Sequence, residues 1–257
     1  MIKAITRVLT VGFFFSGLVL FQWGCTRTDS KVDNALVMGL CADYPPFEFK
    51  KNGEFAGFDI DLAHEIARKL GYTLKIQDLD FSALIPSLQS GRVDFVMSGM
   101  TISEERKKNI EFSEVYFLSS FALIVPQASP FLAENQFQGK RVGVQLGSTM
   151  EKFAKEMSKD YSDMKIVALG KNPVLIQELK SGRLDGVLSE EVQARAFVEA
   201  NPSLKFAPLS RHSGDGYAIA FPKGEKAVQL REKMNLALSD LRKSGKLEEI
   251  KTRWMAQ

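Results

Sequence analysis

Residues 84–98 read LIPSLQSGRVDFVMS, and residues 175–189 read LIQELKSGRLDGVLS. The two stretches are identical at nine of fifteen positions, and the second begins 91 residues after the first. Each pattern predicts a helix, a Ser-Gly-Arg turn and a buried strand that ends in serine. Two ordinary helix–strand units can match this well by chance. The alternative, which we favour, is a chain built from two lobes of similar architecture, each with this unit in the same place.

Short apolar runs alternate with amphipathic segments on either side of both copies. The first half of the chain has predicted strands at 35–40, 73–77 and 93–98 and predicted helices at 59–70 and 81–90. The second half has predicted strands at 141–145, 165–168 and 184–189 and predicted helices at 149–158, 173–181, 226–244 and 247–255. This alternating order is typical of parallel sheets covered by helices, so we predict an α/β fold.

We assign residues 34–118 and 222–257 to the first lobe and residues 119–221, with the strands that join the lobes, to the second. A chain of 257 residues is long enough for two lobes of roughly 100 residues, each with its own core. No segment has the composition of a long linker, so the connection must be short. The apolar stretches 117–125 and 216–221 are the candidates for two crossing strands.

The N-terminal region differs from the rest of the chain. Lys3 and Arg7 precede an apolar run, 8–23, that is shorter than the roughly 20 residues of a membrane span, and Cys25 follows after a glycine. These features are typical of a signal peptide over residues 1–25, and residues 26–33 then form a polar tether. The Gly-Cys step resembles the cleavage site of bacterial lipoproteins, whose cysteine receives lipid. A buried helix and an unmodified export signal are the alternatives.

Charge and cysteine content exclude several classes of partner and site. Without the signal peptide the chain has 32 basic and 31 acidic residues, which gives no reason to expect nucleic acid as a partner. Lipidation of Cys25 would leave Cys41 without a disulfide partner. His64, on the outer face of a helix, and His212, in a polar loop, lie far apart in sequence. The sequence therefore indicates no metal site and no cofactor.

Ligands of open α/β sheets bind beyond the carboxyl ends of the parallel strands. In the two copies of the repeat these ends are residues 98–101 and 189–191, which we expect on opposite walls of one cleft. Arg106 follows a predicted helix start capped by Ser103, where its guanidinium suits a carboxylate, although a surface arginine is the alternative. The turn 145–149 exposes N–H groups that suit an anion, although such turns are common.

The segments YPPFEF (44–49), GFDIDLAHEIARKLG (57–71), FSALIPSLQSGRVDFVMSGMTISEERK (81–107) and VGVQLGST (142–149) resemble those of one known family. It is the polar-amino-acid-binding family, family 3 of the solute-binding proteins that serve ABC importers. The resemblance covers about residues 36–254 and extends to glutamine-, arginine- and lysine/ornithine-binding proteins. It implies the type II periplasmic-binding-protein fold, in which two α/β lobes joined by a two-strand hinge close around a ligand.

The resemblance also implies a role for each matching residue. Arg106 would bind the α-carboxylate of the ligand. Glu190 would bind its α-ammonium group, with the adjacent Glu191 as a less favoured candidate. Tyr44 and Phe81 would enclose the ligand between two rings, although core packing is the alternative for both. The other residues implied at the site would complete the hydrogen bonds to the charged groups: Ser98, Gly99, Thr101, Ser148 and Thr149.

The residues expected around the ligand side chain depart from the family pattern. Cys41 and Gln145 stand where relatives often carry an acid or amide and a variable residue. Binders of cationic amino acids usually have an acid at the first of these positions, and we expect Asp43 to turn outward. An amide both donates and accepts hydrogen bonds, so Gln145 suits a neutral polar side chain. We therefore favour glutamine, with arginine or another basic amino acid as the alternative.

An enzyme on the same fold is the alternative from another class, because some members resemble cyclohexadienyl dehydratases. The glutamate base of those enzymes aligns near Gln193, whose amide cannot act as a general base. We therefore expect a binding protein without enzymatic activity that delivers a free amino acid to an ABC permease and ATPase. A sensor that presents its closed form to a receptor would use the same closure. The expected location is the periplasm or cell surface, with a lipid anchor in a membrane.

The lipid anchor can be tested at Cys25. Labelled fatty acid should be incorporated into the wild type, and Cys25→Ser should lose the label and move to the soluble fraction. Cys41→Ser, at the other cysteine of the chain, is the control and should keep the label. A wild type that takes up no label would be secreted without an anchor.

Overall fold

The computed structural model describes residues 34–131, 133–213 and 215–255. The predicted signal peptide, Cys25 and the predicted tether lie outside the described residues. The helices are α1 Phe58–Leu70, α2 Phe81–Gln89, α3 Glu104–Lys107, α4 Thr149–Met157, α5 Asn172–Lys180, α6 Glu191–Ala200, α7 Glu225–Lys243 and α8 Lys246–Met255. Among the described residues, no helix combines the length and apolar character that crossing a membrane requires.

The strands form two five-stranded sheets and one small three-stranded sheet. The strands are β1 Ala35–Leu40, β2 Asp43–Tyr44, β3 Glu48–Lys51, β4 Glu54–Ala56, β5 Thr73–Asp78, β6 Phe95–Val96, β7 Glu111–Phe112, β8 Ser120–Pro126, β9 Arg141–Gln145, β10 Lys165–Leu169, β11 Gly186–Glu190, β12 Leu204–Ser213 and β13 Ala220–Phe221. The strands and helices predicted from the repeat and its flanks are all present. The largest difference in bounds is at β6, which is shorter than the predicted strand 93–98.

The first five-stranded sheet has the order β5-β1-β6-β13-β7. Strand β1, the second in this order, is parallel to both β5 and β6, whereas β13 is antiparallel to its neighbours. Alternate residues of a strand point to opposite faces. Accordingly Met38 packs in the core formed with α1, α7 and α8, and Val37 packs on the opposite face with α2. Helices thus cover both faces, as the alternating sequence pattern predicted.

The second five-stranded sheet has the order β10-β9-β11-β8-β12. Strand β9 is parallel to β10 and β11, and β8 is antiparallel to β11 and β12. The core on one face includes α4, and the core on the other includes α5 and α6. In both sheets the strand that follows the repeated helix, β6 or β11, is therefore the central strand, and it lies parallel to its neighbour β1 or β9.

The two copies of the repeat make the same hydrogen bonds. Asp94 accepts from the Val37 N–H at 2.7 Å, and its own N–H donates to the Val37 carbonyl at 2.8 Å. Asp185 forms both equivalent bonds with the backbone of Arg141, each at 2.8 Å. The aspartate of each Ser-Gly-Arg-x-Asp segment thus fixes its strand to the first parallel strand of the sheet. The internal repeat is a repeat in structure as well.

Two stretches of chain connect the sheets, one from β7 to β8 and one from β12 to β13. They are antiparallel where they meet, and the Tyr217 N–H donates to the Phe117 carbonyl at 2.8 Å. Strand β13, at the end of the range 119–221 that we assign to the second lobe and the joining strands, pairs within the first sheet. The prediction of a polar loop around His212 was wrong, because this residue lies within β12. That strand is at the edge of its sheet, where polar residues are tolerated.

The start of α1 is held close to the YPPFEF loop. Phe58 and Asp59 donate their N–H groups to the Pro46 and Phe47 carbonyls at 3.0 and 2.9 Å. Gly57 has φ of 133°, and a Cβ at this position would lie 2.1 Å from the Phe47 carbonyl oxygen. Only glycine allows this backbone conformation and this contact. The glycine of GFDID therefore fixes the loop that carries Tyr44 against the first sheet.

Replacing Gly57 by alanine should destabilise the protein more than replacing Gly224. Both glycines precede a helix with similar φ, 133° and 124°, but an added Cβ at Gly224 has no atom within 4 Å. Backbone strain alone costs about 1–3 kcal/mol, which we expect for Gly224→Ala. Gly57→Ala adds a clash with backbone and should lose clearly more free energy of unfolding in urea titrations. Equal losses for the two variants would contradict this account of the loop.

Candidate functional site

A cavity lies where the carboxyl ends of the parallel strands of both sheets meet. All eleven residues that the sequence implied as ligand contacts line it: Cys41, Tyr44, Phe81, Ser98, Gly99, Thr101, Arg106, Gln145, Ser148, Thr149 and Glu190. Three further residues complete the lining: Asp43, Glu48 and Met150.

Arg106 is a buried guanidinium, 8% exposed, in the short helix α3. The Ser103 hydroxyl caps this helix and accepts from the Arg106 N–H at 3.2 Å. The side chain donates to the Thr101 carbonyl at 2.7 Å and, across the cavity, to the Gly147 carbonyl at 3.0 Å. Burial lowers its pKa to about 10, so it stays charged at neutral pH. No carboxylate among the described residues forms an ion pair with it, which leaves the site suited to an anion.

Glu190 is a buried carboxyl, 2% exposed, at the end of β11 on the opposite side of the cavity. It accepts from the Thr101 hydroxyl at 3.0 Å and from the Tyr217 hydroxyl. Burial raises its pKa to about 7, and its hydrogen bonds and the charge of Arg106 oppose this rise. Glu191 instead lies on α6 outside the cavity and pairs with Arg195 at 3.3 Å. The geometry therefore favours Glu190 over Glu191 as the acid that faces a ligand.

Asp43 faces the cavity, so the expectation that it turns outward was wrong. It is 8% exposed and accepts from the N–H and the side-chain amide of Asn172 at 3.1 and 3.0 Å. The amide of Gln145 approaches it at 3.4 Å. These donors belong to the second sheet and its helices, and they draw the side chain inward. Burial raises the pKa of Asp43, and the bonds from Asn172 counteract that effect.

Cys41 and Gln145 are both fully buried at the same end of the cavity as Asp43. The Gln145 amide lies 3.9 Å from the Cys41 sulfur, and the Lys171 ammonium lies 3.5 Å from it. Lys171 itself pairs with Asp80 at 3.0 Å, outside the cavity. Burial raises the pKa of the Cys41 thiol, so it is neutral. This end of the cavity thus presents one carboxylate, one amide and one thiol.

The turn before α4 opens toward the cavity, as the sequence predicted. The Ser148 hydroxyl caps α4 by accepting from the Glu151 N–H at 3.1 Å. The Gly147 N–H is used by the Glu151 carboxylate at 2.7 Å. The first N–H groups of a helix have no partner within it, so that of Thr149 is available to a ligand. Ser148 and Thr149 therefore lie on the second wall, opposite Arg106.

Two aromatic residues form walls of the cavity. The Tyr44 ring is held by a hydrogen bond between its hydroxyl and that of Tyr217, at 3.0 Å. The Phe81 ring lies under the Arg106 guanidinium, whose central carbon is 5.4 Å from the ring centroid. A cation over an aromatic face is a favourable arrangement, and it fixes the direction of the arginine fork. Both rings thus line the cavity that also holds the two charged groups.

The cavity does not include Gln193, the residue nearest the catalytic glutamate expected of a dehydratase. Gln193 is buried on α6 and accepts from the Ser189 hydroxyl behind the cavity wall. An amide at this position neither reaches a ligand nor accepts a proton. The geometry gives no support to that enzymatic alternative.

The sequence carried no local signal for the inward Asp43. The backbone turns between Cys41 and Asp43, since the Asp43 N–H donates to the Cys41 carbonyl at 2.7 Å, so strand alternation does not relate the two side chains. Glu48, at the start of β3, is 1% exposed. Met150, in the first turn of α4, also had no signal, because which side chain of a helix start reaches the cavity depends on how the helix is docked.

The chain belongs to the bacterial extracellular solute-binding proteins, family 3, which it matches over residues 36–257. It is 39% identical to the arginine-binding extracellular protein ArtP of Bacillus subtilis, over 85% of each chain. It is 32% identical to ABC transporter arginine-binding protein 1 of Escherichia coli, over 93% of this chain and 96% of the other. These relatives are amino-acid-binding proteins, not enzymes.

Solved structures show the same two-lobed fold. An ancestral arginine-binding protein bound to arginine has a TM-score of 0.82 and is 42% identical, over 86% of this chain and 98% of the other. The structure of an ancestral arginine-binding protein bound to glutamine also has a TM-score of 0.82, with 40% identity over 87% and 99% of the chains. The family and fold expected from the sequence are confirmed.

The raised pKa of Glu190 predicts a pH dependence of stability. Between the ordinary value of 4.5 and the folded value of about 7, the folded protein holds a proton that the unfolded chain releases. Raising the pH through this window should therefore lower the free energy of unfolding, by about 1.4 kcal/mol per pH unit. Glu190→Gln should lack this part of the slope, and Glu191→Gln should retain it, in denaturant titrations without ligand. Identical slopes for the two variants would refute the assignment.

Proposed function

We propose that this protein binds a free cationic L-amino acid, arginine first, in the cavity and delivers it to an ABC permease and ATPase. The observation that carries the proposal is the inward-facing carboxylate of Asp43. The preference for glutamine depended on an outward Asp43, and it is withdrawn with that expectation. The arginine-binding relatives support the choice of ligand.

The charges of the cavity walls are balanced by a ligand with a net charge of +1. Arg106 would bind the α-carboxylate through two parallel hydrogen bonds, with the Thr149 N–H from the other side. Glu190 would bind the α-ammonium group together with the Thr101 hydroxyl. Asp43 is then left for a cationic side chain. Glu48 adds no charge to this balance, because burial raises its pKa well above the ordinary value.

A neutral ligand would leave this balance incomplete. A buried charge requires an opposite charge or several hydrogen bonds. Glutamine would satisfy Arg106 and Glu190 but would meet Asp43 only with its amide group. Arginine brings a guanidinium with several donors in a plane, which suits a carboxylate beside the amide oxygen of Gln145.

We infer that ligand binding favours the closed arrangement of the two lobes. The groups that would hold the ligand belong to both sides of the cavity: Arg106 follows the first sheet, and Glu190 ends a strand of the second. Residues 34–118 with the C-terminal helices form one lobe, and the second sheet with its helices forms the other. A ligand that contacts both lobes binds the closed form better and shifts the population toward it. Closure would present the protein to the permease.

We also propose the location expected from the sequence. An anchor at Cys25 would hold the protein to a membrane, in the periplasm or at the cell surface. The relative from Bacillus subtilis is described as extracellular.

The variant Asp43→Asn tests the choice of ligand. It keeps the size of the side chain but removes its charge and replaces one of its two acceptor oxygens by an NH₂ donor, so arginine should bind at least about tenfold more weakly. Glutamine affinity should change less than arginine affinity. Asp80→Asn, which removes a carboxylate outside the cavity, is the matched control and should leave arginine affinity nearly unchanged. Calorimetry that shows equal losses for arginine and glutamine in Asp43→Asn would contradict the proposal.

A thermal-shift screen of the twenty amino acids complements this test, because a tight ligand raises the melting temperature by mass action. Stabilisation by arginine, and by lysine to a smaller extent, is the expected result. Stabilisation by glutamine alone would overturn the proposed ligand while leaving the proposed site intact.

A further inference from the structure

Glu48, which lines the cavity, and Asp59, which lies behind its wall, form a pair of buried carboxyl groups. Glu48 is 1% exposed at the start of β3, and Asp59 is 0% exposed in the first turn of α1. Their carboxyl groups lie within hydrogen-bonding reach of each other. In the described part of the chain, no lysine, arginine or histidine forms an ion pair with either. Two carboxylates this close, buried and without a cation, cannot both be ionised.

Each carboxyl group has one oxygen fixed by donors and one oxygen without a partner. Glu48 Oε1 accepts from the Ser98 hydroxyl at 2.7 Å. Asp59 Oδ2 accepts from the Gly99 N–H and from the Tyr116 hydroxyl, both at 2.9 Å. Glu48 Oε2 and Asp59 Oδ1 are buried and have no hydrogen-bond partner among the described residues. Buried polar atoms without partners are rare in native proteins, so these two oxygens require an explanation.

We propose that Glu48 and Asp59 share one proton, which sits on Glu48 Oε2 and is donated to Asp59 Oδ1. The proton removes one of the two negative charges and pairs both orphan oxygens in a single bond. The pair then acts as a positioning device for the Ser98–Gly99 wall of the ligand cavity. This inference does not depend on which amino acid the cavity binds.

The bonds of the pair connect the cavity with the crossing segments. Ser98 and Gly99 line the cavity, and Tyr116 lies just before the first crossing. The Tyr116 N–H donates to the carbonyl of Tyr217, in the second crossing, at 2.9 Å. A fully satisfied buried network is rigid. The pair therefore holds the wall of the first lobe in a fixed position relative to both connections between the lobes.

The groups that face the pair favour retention of the proton. Burial raises the pKa values of the Cys41 thiol and of the Tyr44 and Tyr116 phenols, so all three are neutral at physiological pH. Asp43 is the other nearby acid, and its charge raises the pKa of Glu48 further. Burial raises the pKa of both carboxyl groups, but the charge of Asp59 raises that of Glu48 further, whereas the Gly99 N–H and the Tyr116 hydroxyl lower that of Asp59, which places the proton on Glu48.

The single variants Glu48→Gln and Asp59→Asn test the shared proton. In either variant one amide replaces one carboxyl group, donates to the remaining carboxylate and makes the proton unnecessary. The folded wild type holds one proton that the unfolded chain releases above the ordinary glutamate pKa of 4.5, so its unfolding equilibrium constant should rise with pH above this value, by up to about tenfold per pH unit, relative to either variant. Asp61→Asn is the control, because Asp61 is on the same helix but bonds Arg253 and Trp254. It should keep the slope of the wild type.

These slopes are measured by urea titration without ligand, so they are independent of the proposed arginine binding. Single variants that keep the slope of the wild type would overturn the proposal. A single variant that fails to fold would also overturn it, because both amides are expected to satisfy every bond of the pair.

The double variant Glu48→Gln with Asp59→Asn supplies a second test. Ser98 would fix the amide oxygen at position 48, and Gly99 and Tyr116 would fix the amide oxygen at position 59. The two NH₂ groups would then face each other with no acceptor between them. At pH 7 the double variant should unfold with an equilibrium constant at least about tenfold larger than the two single effects together predict. Failure of the double variant alone to fold supports the proposal, and additivity of the two substitutions contradicts it.

Discussion

The cavity depends on one constraint: charged groups are buried on both of its walls, and no charged side chain among the described residues forms an ion pair with them. The Arg106 guanidinium is almost fully buried and donates to backbone carbonyls. Glu190 is buried opposite with hydroxyl donors, and Asp43 is buried with amide donors. Burial of such charges is costly unless opposite charges pair with them. A ligand with a complementary pattern of charges would complete these walls.

The rest of the structure holds these groups in place. The repeated helix–turn–strand unit ends at Ser98 in one sheet and at Ser189 in the other, which brings equivalent strand ends to the same cavity. Gly57 allows the YPPFEF loop to lie against the start of α1, and this contact places Tyr44 on one wall. The two crossing segments run antiparallel at Phe117 and Tyr217 and keep the lobes together. Each of these features is local, and together they fix the distance between the two walls.

Much of this arrangement could be predicted from the sequence. Periodicity and the repeat predicted the helices, the strands and the position of the cleft, because these features depend on nearest neighbours in the chain. The inward position of Asp43 was not predicted, since it depends on hydrogen bonds from Asn172, which is distant in sequence. The inclusion of His212 in β12 had the same kind of cause, because an edge strand is defined by the strand it pairs with. Contacts between segments that are distant in sequence fix both of these features, and local sequence patterns therefore do not predict them.

The central claim is that the cavity is completed by a ligand with three charged groups. The most direct test compares arginine with citrulline, which has nearly the same shape but a neutral side chain, by calorimetry on the wild type at pH 7.5. If Asp43 pairs with the side chain, arginine should bind more tightly by about 2–5 kcal/mol, the usual effect of leaving a buried charge unpaired. Equal affinities for arginine and citrulline would contradict this account.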